Sequence, residues 1–441
     1  MTSFTSDDYP DDDVPQEQQF VKRDLVLWLT SKIIEKHVFK TIRDTGEVYF
    51  YNNEKGVYRK GGERLIQERC QILYSQVKTH QVLEVVNQII RRTGIDRCEF
   101  DSNCEIINLQ NGLLNIHKLK LDKHSHKHLS FVQLPIKYKR DAKCPKITKF
   151  LNQVLKSKDI PTALQLIGYC LYKSAKFQKA LMCVGKGSNG KSVFLELIGR
   201  FLGEHNVSHI SLQDLCDDRF AKAGLFGKVA NTFADLPLDL IKDSQAFKTL
   251  VSGDSIMAQE KYREKFYFHN YAKLFFSANR IPSANDDTYA YFRRWIIFSF
   301  ENIFEGDDID VNVIDKLTTE RQMSGLLNLS LKALKRLIKD GEFINADNID
   351  DVRKEYNRNS TTVYGFIADM CDVYDDMGKP YSTPTRVIYE HYITYCKEKG
   401  LDALASNAFG MEMADFHIPK ERETRKGERE YCYIGIRLKE N

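Results

Sequence analysis

The run Gly185, Lys186, Gly187, Ser188, Asn189, Gly190, Lys191, Ser192 has the residue types and spacing of a loop that wraps phosphates. Its glycines let backbone N–H groups turn inward, the Lys191 ammonium reaches the outer phosphates, and the Ser192 hydroxyl is placed to ligate Mg²⁺. Such a loop needs a strand to deliver it and a helix N-terminus to add partial positive charge. Both are legible. Ala180 to Val184 is an unbroken apolar run, as a buried parallel strand shows. From Ser192 to Leu202, Val193, Leu197 and Phe201 fall four apart, and Gly203 ends the pattern.

Further chemistry-bearing residues follow. Val229 to Asp235 reads as a strand ending in an acid, and Asp235 can share Mg²⁺ with Ser192. Leu274 to Ala278 reads as a strand ending at Asn279, an amide able to orient a water or sense a terminal phosphate. Arg293 and Arg294 open a strand, Trp295 to Phe298, and an arginine lent to a neighbouring copy stabilises transition-state charge. Between these lie Lys261, Tyr262, Arg263 and Lys265, followed by Phe266, Tyr267 and Phe268. On a hairpin the alternating cations project to one side, where they can follow a phosphate backbone while aromatics touch sugars or bases. Each segment alone also has a plain structural reading: a capped turn, an amphipathic hairpin, a solvated strand end.

Taken in order, the phosphate loop, Asp235-Leu236-Pro237, Ser252-Gly253-Asp254, Glu260-Lys261-Tyr262, Phe276-Ser277-Ala278-Asn279-Arg280-Ile281-Pro282 and Phe292-Arg293-Arg294 resemble the superfamily 3 helicases. The likeness is greatest to the helicase part of phage, plasmid, mobile-island and poxvirus primase–helicases, and it covers about residues 100–304. Leu109 to Asn115, Leu164-Gln165 and Gly168-Tyr169 share it. The resemblance implies an AAA+-like ATPase that assembles as a ring, usually a hexamer, around DNA and moves 3′ to 5′. It implies ATP and Mg²⁺ at Lys191 and Ser192, an acidic motif at Asp235, a DNA-tracking cation at Lys261, a sensor at Asn279, and a finger at Arg293 or Arg294. Two departures stand out. Many members carry two adjacent acids, but Ala234 precedes Asp235 here, so the general base is unassigned. Many also fuse a primase ahead of the helicase. The region before residue 140 is too short for one and shows no Asp-x-Asp pair in a strand pattern, so no primer synthesis is expected.

The elements around this core divide the chain. The expected fold is α/β, with an AAA+-like phosphate-loop core on a parallel sheet. Residues 1–19 form a disordered acidic tail, 20–140 an N-terminal α+β domain, 141–178 a helical collar, 179–304 the core, 305–360 a helical extension and linker, and 361–441 a winged-helix domain. Helices are expected over 22–36, 62–78, 81–92, 146–157, 161–175 and 325–339, and hairpins at Val48–Tyr58 and Ile106–Ile116. The polar stretch 342–351 and Asn357 to Thr362 read as linker. At the end, helices over 363–374, 385–398 and 407–416 precede a hairpin whose cations Lys420, Arg422, Arg425, Lys426 and Arg429 suit phosphate contacts, although glutamates interleave them.

Whole-chain bounds agree with this reading. A net charge of +4 leaves any basic surface local. The ten cysteines lack a Cys-x-x-Cys pair and read as reduced thiols of a cytoplasmic protein. His124, His126 and His128 read as a solvated basic turn, and no run approaches a membrane span. The expected activity is that of an ATP-dependent DNA helicase and replication initiator of a mobile element or phage. Its expected partners are single-stranded and forked DNA, origin duplex, further copies of itself, and a separate primase or host replication proteins. The competing readings are an origin-binding initiator whose ATP site only switches assembly, a small-molecule kinase, and a peptide-threading machine. The kinase lacks an acceptor pocket and lid, and the threading machine expects an apolar pore hairpin.

Overall fold

The computed structural model describes residues 22–306, 309–344, 348–373, 381–416, 418–425 and 428–439. The acidic tail and Lys426 lie outside them. The N-terminal part begins with the expected helix Lys22–Lys36, which buries Leu25, Leu29 and Ile33 along one stripe. A four-stranded sheet follows, with Val57–Lys60, Val48–Asn52, Phe39–Ile42 and Gly94–Ile95 side by side. Helices Lys22–Lys36, Gly62–Leu73 and Thr79–Arg92 supply one core. A second core joins Tyr49 and Phe100 to Phe131 and Phe226; Phe131 stacks on Phe100 with centroids 3.9 Å apart and meets Phe226 edge-on at 5.7 Å. Phe226 belongs to the central part, so this cluster fastens the two together.

The histidine run is solvated only in part: Lys123, His126 and Lys127 are exposed, but His124 and His128 turn inward. The His124 ring pairs with the Leu109 carbonyl at 2.8 Å, and burial pushes His128 down to about 4. The Tyr58 hydroxyl also donates to the His126 carbonyl at 2.7 Å, a contact far along the chain that local charge could not reveal.

The central part is a five-stranded, all-parallel sheet in the order Trp295–Ser299, Ala180–Val184, Lys273–Ala278, Ala230–Phe233, Val207–Ser208. Every residue of Ala180–Val184 is buried, because helices cover both faces. Helices Pro145–Val154, Ile160–Cys170, Lys191–Leu202 and Glu320–Asp340 contribute to the core on one face. The core on the other face gathers Gln245–Ser252, the hairpin Ser255–Gln259/Lys265–His269, and Ile349–Ser360. Gly168 lets two helices of the first set touch: a Cβ there would stand 2.4 Å from the Ser330 carbonyl oxygen.

Two expectations fail here. Residues 349–360 are a helix, not a linker. Val352 and Tyr356 are buried, Ile349 packs half-buried beside them, and the Tyr356 hydroxyl bonds Tyr291 Oη at 2.8 Å and the Pro282 carbonyl at 2.9 Å. Ile349, Val352 and Tyr356 do fall at i, i+3 and i+7, a short helical stripe that the polar residues around it obscured in the sequence. In the hairpin, Lys261, Tyr262 and Arg263 occupy the connecting turn and only Lys265 lies on a strand, so strand alternation does not align the three cations.

The C-terminal part holds helices Thr362–Met370, Thr385–Glu398 and Ser406–Asp415 and the hairpin Lys420–Arg425/Glu428–Ile434. Its own core includes Phe366, Ile388, Tyr392, Phe409 and Met413. No helix among the described residues is long and apolar enough to cross a membrane.

Candidate functional site

Three neighbouring parallel strands end together, and the predicted residues stand just past their carboxyl ends, where open α/β sheets collect ligands. Ala180–Val184 runs into the phosphate loop, Ala230–Phe233 leads to Asp235, and Lys273–Ala278 leads to Asn279. The helix Lys191–Leu202 starts at the loop with Gly190 before it. Gly190 has φ +85°, and a Cβ there would stand 2.6 Å from Val154 Cγ1, so this position needs glycine on both counts.

Lys191 is buried at the centre. Its ammonium donates to the Gly185 carbonyl, to Asn189 Oδ1 at 3.1 Å and to Asn279 Oδ1 at 3.3 Å. Burial holds its pKa below the usual lysine value, and the Asp235 charge works against that shift. Asp235 is exposed, with φ +54°, a conformation that Asp tolerates better than most residues. Its N–H faces Ser277 Oγ at 3.4 Å. These residues fit a nucleotide with its metal: a glycine cradle and a helix N-terminus for phosphates, one buried ammonium, and a hydroxyl and a carboxylate for Mg²⁺.

Sequence reasoning missed what supports the loop. Asn189 Nδ2 donates to the Phe300 carbonyl at 3.2 Å, and the Phe304 N–H donates to the Ser188 carbonyl at 2.8 Å. The segment after Trp295–Ser299 carries no motif, so only the fold shows it as a brace. Beside the loop runs an open groove of about 1100 Å³ whose lining includes Ser192, Thr232, Ala234, Arg200, His205 and Arg59.

The paired arginines lie elsewhere. Trp295–Ser299 is parallel to Ala180–Val184, and the Arg294 carbonyl accepts the Ala180 N–H, so both arginines stand at the opposite end of the sheet from their own phosphate loop. They also differ. Arg294 is buried, donates to the Ala290 carbonyl and to Ser252 Oγ, and is held below the usual arginine value by burial and by Arg293. Arg293 is half-buried and donates to Gln178 Oε1 at 2.8 Å.

The hairpin projects from the same end. Lys261 and Lys265 have no ion-pair partner among the described residues, whereas Arg263 pairs with Glu260 at 3.2 Å and Glu47 at 3.7 Å. Arg263 thus docks the turn on the N-terminal part instead of offering a bare charge. In the C-terminal hairpin, register places Arg422 opposite Tyr431 and Arg429 opposite Thr424. Lys420, Arg422 and Arg429 therefore share a face with Tyr431, while Glu421, Glu423 and Glu430 take the other. Alternation sorts the glutamates that seemed to dilute the charge. The Lys420 ammonium lies 4.9 Å from the Tyr431 ring. Among the described residues, no three His, Cys, Asp or Glu side chains gather as a metal site.

Comparison with known proteins adds an independent view. Residues 14–156 match the D5 N terminal like family, residues 183–294 a family of unknown function (DUF5906), and residues 358–439 the Poxvirus D5 protein-like family. A protein of Acanthamoeba polyphaga mimivirus named "Putative helicase" is 25% identical over 248 residues, 51% of this chain. The structure of the NrS-1 C-terminal region superposes with a TM-score of 0.52 at 11% identity, covering 92% of this chain and 98% of that one. The chain resembles the helicase part of phage- and poxvirus-type primase–helicases. This helicase-like chain spans 25% of the mimivirus protein's length. Its likeness to NrS-1 is one of fold, and that fold is mixed α/β around a parallel sheet.

Proposed function

We propose that the chain is an ATP-dependent DNA helicase serving replication of a phage or mobile element, working as a ring, commonly of six copies, and moving 3′ to 5′ on DNA. The observation that carries this reading is the split between the two ends of one sheet. Lys191, Ser192, Asp235 and Asn279 meet at the carboxyl ends of the strands. Arg293 and the hairpin turn with Lys261 stand at the other end.

A five-residue strand spans about 16 Å at ~3.3 Å per residue, farther than an arginine side chain reaches. Arg293 therefore suits a neighbour's site, and a ring supplies that neighbour. Arg294 is built in, so Arg293 is the finger of the pair. Mg²⁺ with ATP would be held by Ser192 and Asp235, neutralising phosphate charge. Lys191 positions the outer phosphates, and Asn279 orients the attacking water. The phosphate loop on a five-stranded parallel sheet supports reading the central core as an AAA+ ATPase. On this reading the C-terminal helices and hairpin act as a winged helix, whose Lys420, Arg422 and Arg429 face would hold duplex phosphates.

The test is fork unwinding with ATP, read together with oligomer mass. Wild type should form rings and separate strands, Lys191→Ala should lose hydrolysis and unwinding, and Lys261→Ala should lose unwinding. Strand separation that survives Lys191→Ala would refute the proposal. Hydrolysis without any strand separation would favour an initiator whose ATP site switches assembly.

A further inference from the structure

The hairpin carries more than its turn. Burial alternates along both strands: Ile256, Ala258, Phe266 and Phe268 face the core, while Ser255, Met257, Lys265, Tyr267 and His269 face outward. Register places Met257 directly opposite Tyr267, and Gln259 opposite Lys265. Directly opposed residues on one face of a sheet have Cβ atoms about 4.5–5.5 Å apart. The outer face thus presents an adjacent thioether and phenol ring, 44% and 64% exposed, with a lysine free of ion pairs among the described residues one step toward the turn. At the turn Tyr262 is fully exposed with φ +65°. A solvent-exposed aromatic beside a lysine with no ion pair among the described residues is the surface chemistry of single-strand binding. A base π-face stacks on the ring, and the neighbouring ammonium takes the phosphate.

We propose that Tyr267, backed by Met257, is a stacking platform for one base of single-stranded DNA, and that Lys265 holds the adjoining phosphate. Strand rise places Lys265 about 7 Å from Tyr267, on the side of the turn. The platform thereby extends contact with the strand from the turn along the hairpin's flank. It deepens the helicase reading and rests on it. The sequence hid the platform because Phe266, Tyr267 and Phe268 look alike in a row, and only the register shows that Tyr267 alone of the three faces solvent.

Fluorescence anisotropy with a labelled oligo-dT, titrated at several salt concentrations, tests it. Stacking is worth ~1–3 kcal/mol per base. Tyr267→Ala should therefore weaken binding about tenfold while leaving the salt slope unchanged, and Tyr267→Phe should bind as wild type. Lys265→Ala should lower the slope of log affinity against log salt by about 0.7, the value for one single-strand phosphate. Binding by Tyr267→Ala within twofold of wild type would overturn the platform and leave the helicase reading standing. So would a loss of affinity that tracks loss of oligomer mass in sedimentation, which would assign the face to a second copy. A wild-type chain that does not bind the oligonucleotide would defeat both.

Discussion

The ammonium of Lys191 lies 3.3 Å from the side-chain oxygen of Asn279, a residue 88 positions later. Adjacent parallel strands bring them together, with Ala278 paired to Val184. Lys191 is thus held by neutral oxygens from Gly185, Asn189 and Asn279 in a buried setting that disfavours its charge. Phosphate oxygens are stronger acceptors for an ammonium, so ligand binding would release Asn279 to bond elsewhere.

This geometry predicts that the two residues fail differently. Lys191→Ala should abolish tight nucleotide binding and hydrolysis together. Asn279→Ala should keep nucleotide affinity within a few fold while kcat falls by about 10²-fold, the usual loss for one oriented polar group. Fluorescent-nucleotide titration and steady-state hydrolysis separate the two. Equal loss of affinity in both would remove Asn279 as a sensor.

The arginines should also separate. Arg293→Ala should lower hydrolysis by about 10³-fold or more with an unchanged melting temperature, as a trans-acting finger does. Mixed with Lys191→Ala subunits it should regain activity at hybrid interfaces. Arg294→Ala should instead destabilise the fold by about 1–3 kcal/mol, because Ser252 and the Ala290 carbonyl lose a buried donor. Calorimetry and subunit mixing check both. A stable Arg294→Ala with no hydrolysis would exchange their roles.

A pH dependence follows from Lys273. It is buried beneath the Tyr169 ring, with its ammonium 4.2 Å from the centroid, and donates to the Tyr172 carbonyl at 2.9 Å. Burial pushes its pKa down to about 7 from 10.5. Between those values the unfolded chain holds a proton that the folded chain has released, so stability rises as pH climbs from 7 toward 10. Urea midpoints for wild type should increase from pH 7 to 9 more steeply than those of Lys273→Met. Parallel curves would show that Lys273 keeps its proton in the folded state.

Much of this site was legible because its residues sit where element boundaries are strongly marked. Gly190 and Lys191 follow an apolar strand, and Asp235 and Asn279 end two more, so residue type and strand end coincide. What stayed hidden depends on contacts far along the chain. The helix 349–360 rests on Val352 and Tyr356 reaching the core near Tyr291. The difference between Arg293 and Arg294 rests on which one turns under Ser252. The role of Arg263 rests on Glu47, over two hundred residues earlier. The two arginine contacts have no local period or spacing to betray them.

One buried ion pair ties the parts together and yields the last prediction. Lys173 Nζ donates to Asp101 Oδ1 at 2.7 Å, with both side chains almost wholly buried. Asp101 also accepts from Ser130 Oγ and, at 3.1 Å, from Tyr271 Oη. Asp101 and Ser130 belong to the N-terminal part, Lys173 follows the collar helix, and Tyr271 links the hairpin to the strand that ends at Asn279. Removing one partner leaves a buried charge uncompensated, which costs about 3–5 kcal/mol. Losing one hydroxyl bond to that carboxylate costs about 1.5–3 kcal/mol. Lys173→Met should therefore lower stability toward urea by about twice as much as Tyr271→Phe. If the two substitutions cost the same, Asp101 draws its compensation from its hydroxyl and backbone donors, and the ion pair does not hold the hairpin's root to the N-terminal part.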